Sequence, residues 1–301
     1  MGSVEQGDAD EVCASCGKAA VDDVKLKKCA CDLVKYCGVE CQKNHRPQHK
    51  KACKKRMAEI RDDRLFTLPD ESHFGECPIC CLPLPIDRDK SFKNTCCSKR
   101  ICKGCSYANQ KREQEQGLRP KCPYCREPVP TTDEEIEQND IKRVKANDPA
   151  ALCDIGKRVY LEGDYDGAVQ YLTKAAALLE IEAHYQLAML YRNGHGVEKS
   201  KKKEMYHLEE AAIGGHPEAR YNLGAYEMMS GRIKRGVKHL VIAAKLGDHD
   251  ALEAVKDEFA RGNASKEDYE AALRGHQAAV DATKSQKRTE AEAYFANNAG
   301  N

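Results

Sequence analysis

The 301-residue chain has no tryptophan and only five phenylalanines, too few large rings to centre one big globular core. No run approaches the roughly 18 consecutive apolar residues that cross a bilayer, and the opening MGSVEQGDADEVC lacks an apolar signal core. A soluble, unsecreted protein of the cytoplasm or nucleus is expected. Net charge is almost absent too, with 49 Lys plus Arg against 48 Asp plus Glu, so the whole molecule exerts no general pull on nucleic acid or anionic membrane. A Gly-rich phosphate loop, a nucleophile elbow and a metalloprotease His pair are all missing, which argues against conventional small-molecule catalysis.

Cysteine is abundant and unevenly placed. Sixteen of the 17 lie between Cys13 and Cys125, and Cys153 stands alone in an Ala-, Tyr-, Leu- and Glu-rich half. In a reducing compartment clustered thiols are metal ligands rather than disulfides. The first cluster runs Cys13-x2-Cys16, Cys29-x-Cys31, Cys37-x3-Cys41 and His49-x3-Cys53. Zinc takes four thiolate or imidazole ligands, and ligands one to three residues apart can chelate one ion from a tight turn or a helical turn. Interleaved pairs let two ions staple a segment too small for a sufficient core. The second cluster is Cys77-Pro78-Ile79-Cys80, Cys96-Cys97, Cys102-Lys103-Gly104-Cys105 and Cys122-Pro123-Tyr124-Cys125-Arg126. Cys81 is left over as a spare thiol.

At Tyr36-Cys37-x3-Cys41-Gln42 and His49-x3-Cys53 the first segment resembles the MYND zinc finger. The resemblance implies that the first and third pairs share one zinc and the second and fourth the other, giving Cys13, Cys16, Cys37, Cys41 and Cys29, Cys31, His49, Cys53. It also implies a docking surface for short, often proline-containing peptides, although Arg46 stands where the family usually has Trp. His45 is too far from Cys53 for the motif. The basic run Lys50, Lys51, Lys54, Lys55, Arg56 reads as a solvated helix face, with nucleic acid or a nuclear import receptor as the alternative.

The second segment resembles the RING finger in its all-cysteine form, since Ser98, Lys99 and Arg100 stand where most members place a histidine. By that resemblance Cys77, Cys80, Cys102 and Cys105 form one site and Cys96, Cys97, Cys122 and Cys125 the other, for four zinc ions in the chain. A RING supplies no nucleophile; it holds a ubiquitin-conjugating enzyme and its thioester in an attack-ready pose. Ile79 and Pro123 match the apolar groove positions, and Arg126 matches the cation that bridges conjugating enzyme and ubiquitin. Asn109 occupies a position where active members carry Trp or Leu, and Tyr107 is its nearest aromatic substitute.

From residue 148 a unit of about 32 to 36 residues recurs, the period of a two-helix repeat. Its second helices contain Ala175-Ala176, Ala211-Ala212, Ala243-Ala244 and Ala278-Ala279, and Gly163, Gly194, Gly196, Gly231 and Gly262 relieve the turns. This half resembles the Sel-one-like subclass of tetratricopeptide repeats, best over Ala183 to Gly215, which implies a concave protein-binding surface. Ser265 with Asp268 opens the last helix in capping-box style. His184, His195, His207, His216, His239 and His249 are read as surface or packing residues.

The expected architecture is multi-domain: two small cross-braced zinc modules with little regular structure, then an all-α solenoid. Its segments are a disordered 1–12, a MYND-like 13–53, a helical linker 54–76, a RING-like 77–126, a linker 127–147, repeats 148–283 and a flexible tail 284–301. The combination resembles algal proteins that join such fingers to Sel-one-like repeats. The expected function is protein recognition in ubiquitin transfer, with a non-enzymatic zinc-finger adaptor or a nuclear factor binding nucleic acid through the basic cluster as alternatives. The expected partners are proteins, a conjugating enzyme and a substrate among them.

Overall fold

The computed structural model describes residues 12–20 and 25–298. The segment expected to be disordered, 1–12, lies outside them apart from Val12, which pairs with Ala19 in an antiparallel bridge. The chain divides between Thr67 and Leu68 into two bodies.

The first body holds a two-stranded antiparallel ribbon, β1 (Lys27–Lys28) with β2 (Lys35–Tyr36), in which Lys27 faces Tyr36, followed by helix α1 (Val39–Phe66). Cys41, His49 and Cys53 all lie on α1. The helix then runs on to Phe66, so residues 54–66 are not a separate linker but the continuation of a ligand-bearing helix. Its core is almost wholly donor atoms and one ring: Cys13, Cys29, Cys31 and Tyr36.

The second body opens with the other cysteine module. A 3-10 turn (Arg88–Lys90) leads into the hairpin β3 (Ser91–Lys93) and β4 (Arg100–Cys102), with Ser91 opposite Cys102, and then α2 (Lys103–Glu115). The segment read as a linker at 127–147 contains α3 (Asp133–Lys145), capped by the Thr132 side chain. Acidic residues fill its first turn and basic residues its last, which suits the helix dipole.

Four helical hairpins follow: α4 (Pro149–Leu161) with α5 (Tyr165–Ala177), α6 (Ile181–Asn193) with α7 (Lys201–Ile213), α8 (Pro217–Met229) with α9 (Ile233–Lys245), and α10 (His249–Ala260) with α11 (Lys266–Ala282). The starts are written in the sequence: Asp148, Asp164, Ser200, His216, Asp248 and Ser265 each accept a backbone N–H of the first turn. Ser265 and Asp268 complete a capping box. At the turn between α6 and α7, Gly194 has φ 77° and ends the helix, while a Cβ on Gly196 would sit 2.4 Å from the Tyr165 carbonyl oxygen.

The alanine pairs of α5, α7 and α9 are buried, which lets helix axes approach closely. The last pair departs from the expectation. Ala278 is exposed and Ala279 half-buried, and the buried alanine of α11 is Ala272. The next helix packs on α2, and Ala278 stays exposed.

That next helix corrects the expectation of a flexible tail at 284–301. Residues Gln286–Asn297 form α12, N-capped by Ser285, lying along α2. Its inner stripe is Arg288, Ala291 and Phe295, spaced three and four residues apart. Tyr294 meets Tyr107 with ring centres 4.6 Å apart, and the Arg288 guanidinium donates to the carbonyls of Pro83 and Thr283, both at 2.7 Å. A backbone otherwise left open beside the first knuckle is thereby satisfied. Residues 299–301 lie outside the described part.

The cysteine module is also fixed to the repeats directly. Lys93 Nζ contacts Asp154 at 2.5 Å and the Ala150 carbonyl at 2.7 Å, Arg88 meets Glu182 at 2.9 Å, and the His73 amide donates to Gly215 O at 3.1 Å. A Cβ on Gly215 would lie 2.6 Å from the Glu71 carbonyl, so only glycine admits this strand of chain.

The α2–α12 contact gives a sharp test. A Cβ on Gly104 would meet the Arg288 backbone nitrogen at 2.8 Å. Gly104→Ala favours α2 itself by about 0.8–1 kcal/mol, yet we expect it to loosen α12 by about 1–3 kcal/mol through overpacking. Hydrogen exchange across residues 286–297 should therefore accelerate in the variant; unchanged protection would contradict the packing.

Candidate metal centres

Four groups of donor atoms lie with every member within 4.8 Å of the others: Cys13, Cys16, Cys37, Cys41; Cys29, Cys31, His49, Cys53; Cys77, Cys80, Cys102, Cys105; and Cys96, Cys97, Cys122, Cys125. These are the sixteen candidate ligands of the sequence in the same four sets. Each set pairs residues that alternate along the chain, so the pairs cross-brace two turns.

The spacing distinguishes metal ligation from oxidation. A tetrahedron with Zn–S near 2.3 Å sets sulfurs about 3.8 Å apart, whereas a disulfide needs about 2.05 Å. The observed separations are 3.6 Å for Cys16 and Cys37, 3.8 Å for Cys29 and Cys53, 3.9 Å for Cys80 and Cys102, and 3.8 Å for Cys97 and Cys122. His49 presents Nε2 to Cys31 Sγ at 3.1 Å. No cysteine is paired in a disulfide. The donor chemistry and spacing fit zinc.

Local backbone explains why the sets form. The Cys13 amide bonds Lys18 O and Gly17 bonds back to Cys13 O, closing a knuckle around the first pair. In the second module the Cys81 amide bonds Cys77 O and the Arg126 amide bonds Cys122 O in the same way. Cys81 and Arg126 both take positive φ there, 52° and 67°, so that each chain reverses immediately after its ligand pair. Cys102 caps α2, its sulfur accepting the Cys105 amide at 3.4 Å.

Crowded thiols disturb one another's protons. The hydrogen bond from Cys102 pulls the Cys77 thiol down to about 4, against the effect of burial. Burial pushes Cys97 up to about 11 and Cys105 up to about 12, and burial followed by hydrogen bonds with Cys31 and Cys29 raises Cys53 to about 11. A divalent cation removes this competition, because every cysteine ligand can then be a thiolate.

His45 lies outside the ligand sets, as its spacing implied. Its Nδ1 meets the Tyr36 hydroxyl at 3.0 Å and its ring stacks on His49 at 5.6 Å, which orients the ligand. Of the groove candidates, Ile79 is 42% exposed, Pro123 is half-buried and Arg126 is exposed beside Asn109, with Arg126 Nη1 to Asn109 Oδ1 at 3.3 Å. Asn109 also donates to Lys121 O at 3.0 Å and to Glu113 at 3.0 Å, tying α2 to the last knuckle. Tyr107 cannot replace it. Two helical positions turn it to the opposite side, against α12.

One donor cluster was not read in the sequence. His73, Glu182 and His216 also converge within 4.8 Å. Here a different chemistry holds. The Glu182 carboxylate takes Arg88 at 2.9 Å and His216 Nε2 at 3.3 Å, with Lys157 at 4.0 Å. Burial would raise its pKa, but the His216 bond and the neighbouring cations hold it well below the usual range. His216 Nδ1 accepts the Ala219 amide at 3.3 Å, which leaves the ring proton on Nε2, where a metal would need a lone pair. His73 stacks on His216 at 4.3 Å, and burial together with that neighbour pushes its pKa down to about 2. The trio is a buried polar clamp between the second module and the repeats, composed of residues 34 to 143 positions apart that no spacing rule connects.

Residues 13–53 match the family model of the MYND finger. A stretch of 56 residues is 43% identical to part of a putative beta-lactamase, HcpC, of Helicobacter pylori; it makes up 19% of this chain and spans 19% of that relative's length. Two solved structures are similar in outline. One is a Sel1 repeat protein from Oxalobacter formigenes, at 21% identity and TM-score 0.43 over 60% of this chain and 72% of that one. The other is c5321, a protective antigen of uropathogenic Escherichia coli with an SLR fold, at 19% identity and TM-score 0.39 over 64% and 39%. With its MYND finger, its further cysteine clusters and its helical repeats, the chain is a zinc-binding protein of the protein-interaction class.

The spare thiol checks the ligand sets. In the zinc-loaded chain a thiol reagent should label Cys81 rapidly and buried Cys153 only slowly. The Cys81→Ala variant should lose the fast phase; fast labelling of other cysteines in that variant would contradict the assignment.

Proposed function

We propose that residues 77–126 act as an all-cysteine RING-like module that binds a ubiquitin-conjugating enzyme, and that the helical repeats recruit the protein to be modified. The full chain would hold four zinc ions and work in the cytoplasm or nucleus. The observation that supports this reading is that Ile79 and Arg126 are exposed and Pro123 half-buried, two of them inside the first and last knuckles and one directly after the last ligand.

The module's chemistry would be positional. It presents no nucleophile and no base; Ile79 and Pro123 offer apolar contact, and the Arg126 guanidinium offers several donors to carbonyls bridging enzyme and ubiquitin. Arg126 would first exchange its 3.3 Å bond to Asn109 for that partner. Substrate geometry would be fixed as well, because Arg88, Lys93 and His73 hold the module on the repeats. A scaffold without transfer activity is the second reading, favoured by Asn109, whose bonds to Lys121, Glu113, Arg112 and Arg126 spend a groove position on internal structure.

Reconstitution separates the two. With ubiquitin, activating enzyme and a panel of conjugating enzymes, the chain should build ubiquitin conjugates, and Ile79→Ala and Arg126→Ala should each slow this about tenfold, equivalent to 1.4 kcal/mol of lost contact. Silence with every conjugating enzyme would reject the ligase reading and leave the scaffold.

A further inference from the structure

The basic run on α1 splits in two in the structure. Lys55 and Arg56 turn to Glu59, at 3.9 and 3.2 Å, and Lys43 turns to Glu40 at 3.0 Å, as expected of a solvated helix face. Lys50 and Lys54 do otherwise. Together with Arg46 and Gln42 they line a groove of about 280 Å³ whose other walls are Tyr36, Cys29, His49 and Cys53. No carboxylate lines it.

The four bordering residues are spaced by four, so their side chains rise about 6 Å per step along the helix. Alternate side chains of an extended peptide are about 6.6–6.8 Å apart on one face, a near match to that rise. A zinc ion held by Cys29, Cys31, His49 and Cys53 would leave one negative charge from three thiolates, against three cations at the rim. The groove therefore keeps an excess of positive charge beside its apolar walls.

We propose that this groove binds an extended acidic peptide segment, with carboxylates at alternate positions facing Arg46, Lys50 and Lys54 and small apolar side chains between them. The inference rests on residues 13–53 being a zinc-built docking module and names its ligand class. Nucleic acid fits less well. The rim carries only three cations, Lys43, Lys55 and Arg56 are paired with Glu40 and Glu59, and the two rings that line the groove, Tyr36 and His49, are buried and offer no face for base stacking.

The test uses the zinc-loaded full chain and a fluorescent peptide of alternating Glu and Val, with its Gln counterpart as control. The Glu peptide should bind more weakly by about tenfold after Lys50→Glu with Lys54→Glu, the loss of two exposed ion pairs turned to repulsion. The Gln peptide should bind as weakly as that variant does, and affinity should fall as salt rises from about 50 to about 300 mM. Equal binding of the two peptides, no binding at all, or displacement by an oligonucleotide of the same charge at lower concentration would each overturn the proposal. Both lysines are exposed, so zinc content and melting temperature should not change in the variant. A wild-type chain that fails to retain zinc at Cys31 and His49 would instead sink the docking-module reading itself.

Discussion

Tetrahedral spacing of sulfur and imidazole governs this molecule. The first body has a core of three cysteines and one tyrosine, and the second cysteine module adds only Leu84 and Ile101 to its buried thiols. Segments of forty to fifty residues with so little apolar surface cannot offset the conformational entropy of folding. Structural zinc can, at roughly 10–16 kcal/mol per site in finger peptides. Everything the modules display, from the Tyr36 groove to the Ile79 and Arg126 surface, is held where it is by those ligand sets.

The repeats solve the same problem in another way. Each hairpin buries Ala and Leu against its neighbours, in one cluster that joins α4 to α6 and another that joins α9 to α11. Where zinc module and solenoid meet, the contact is polar and specific: a buried carboxylate with Arg88, Lys157 and His216, and a lysine reaching a helix-start carbonyl. Such contacts add modestly to stability but fix orientation, because misplacing any partner leaves a buried charge unsatisfied. The second module thus has a defined direction relative to the helices.

Much of this was legible in the residues. Paired cysteines announce metal through spacing alone, since chelation from one turn is local. Repeat period, the helix cap at Ser265, and turn glycines are local signals too. The features that escaped are set by distant contacts. Residues 286–297 read as a polar tail because only three inward positions are used and one of them is arginine; their helix exists through Tyr107, Gly104 and the Pro83 carbonyl. Likewise, residues 54 onward read as a separate connecting helix, whereas α1 runs unbroken from the ligands Cys41, His49 and Cys53 to Phe66. The groove cations were visible as a basic run, but only the structure separates Lys50 and Lys54 from Lys55 and Arg56.

The claim that four cross-braced sites build the two modules is tested most directly by counting metal in the intact folded chain with native mass spectrometry. The account predicts four zinc ions per chain, released only as the modules unfold in chelator. Two ions per chain, with either module folded and chelator-resistant without metal, would contradict it.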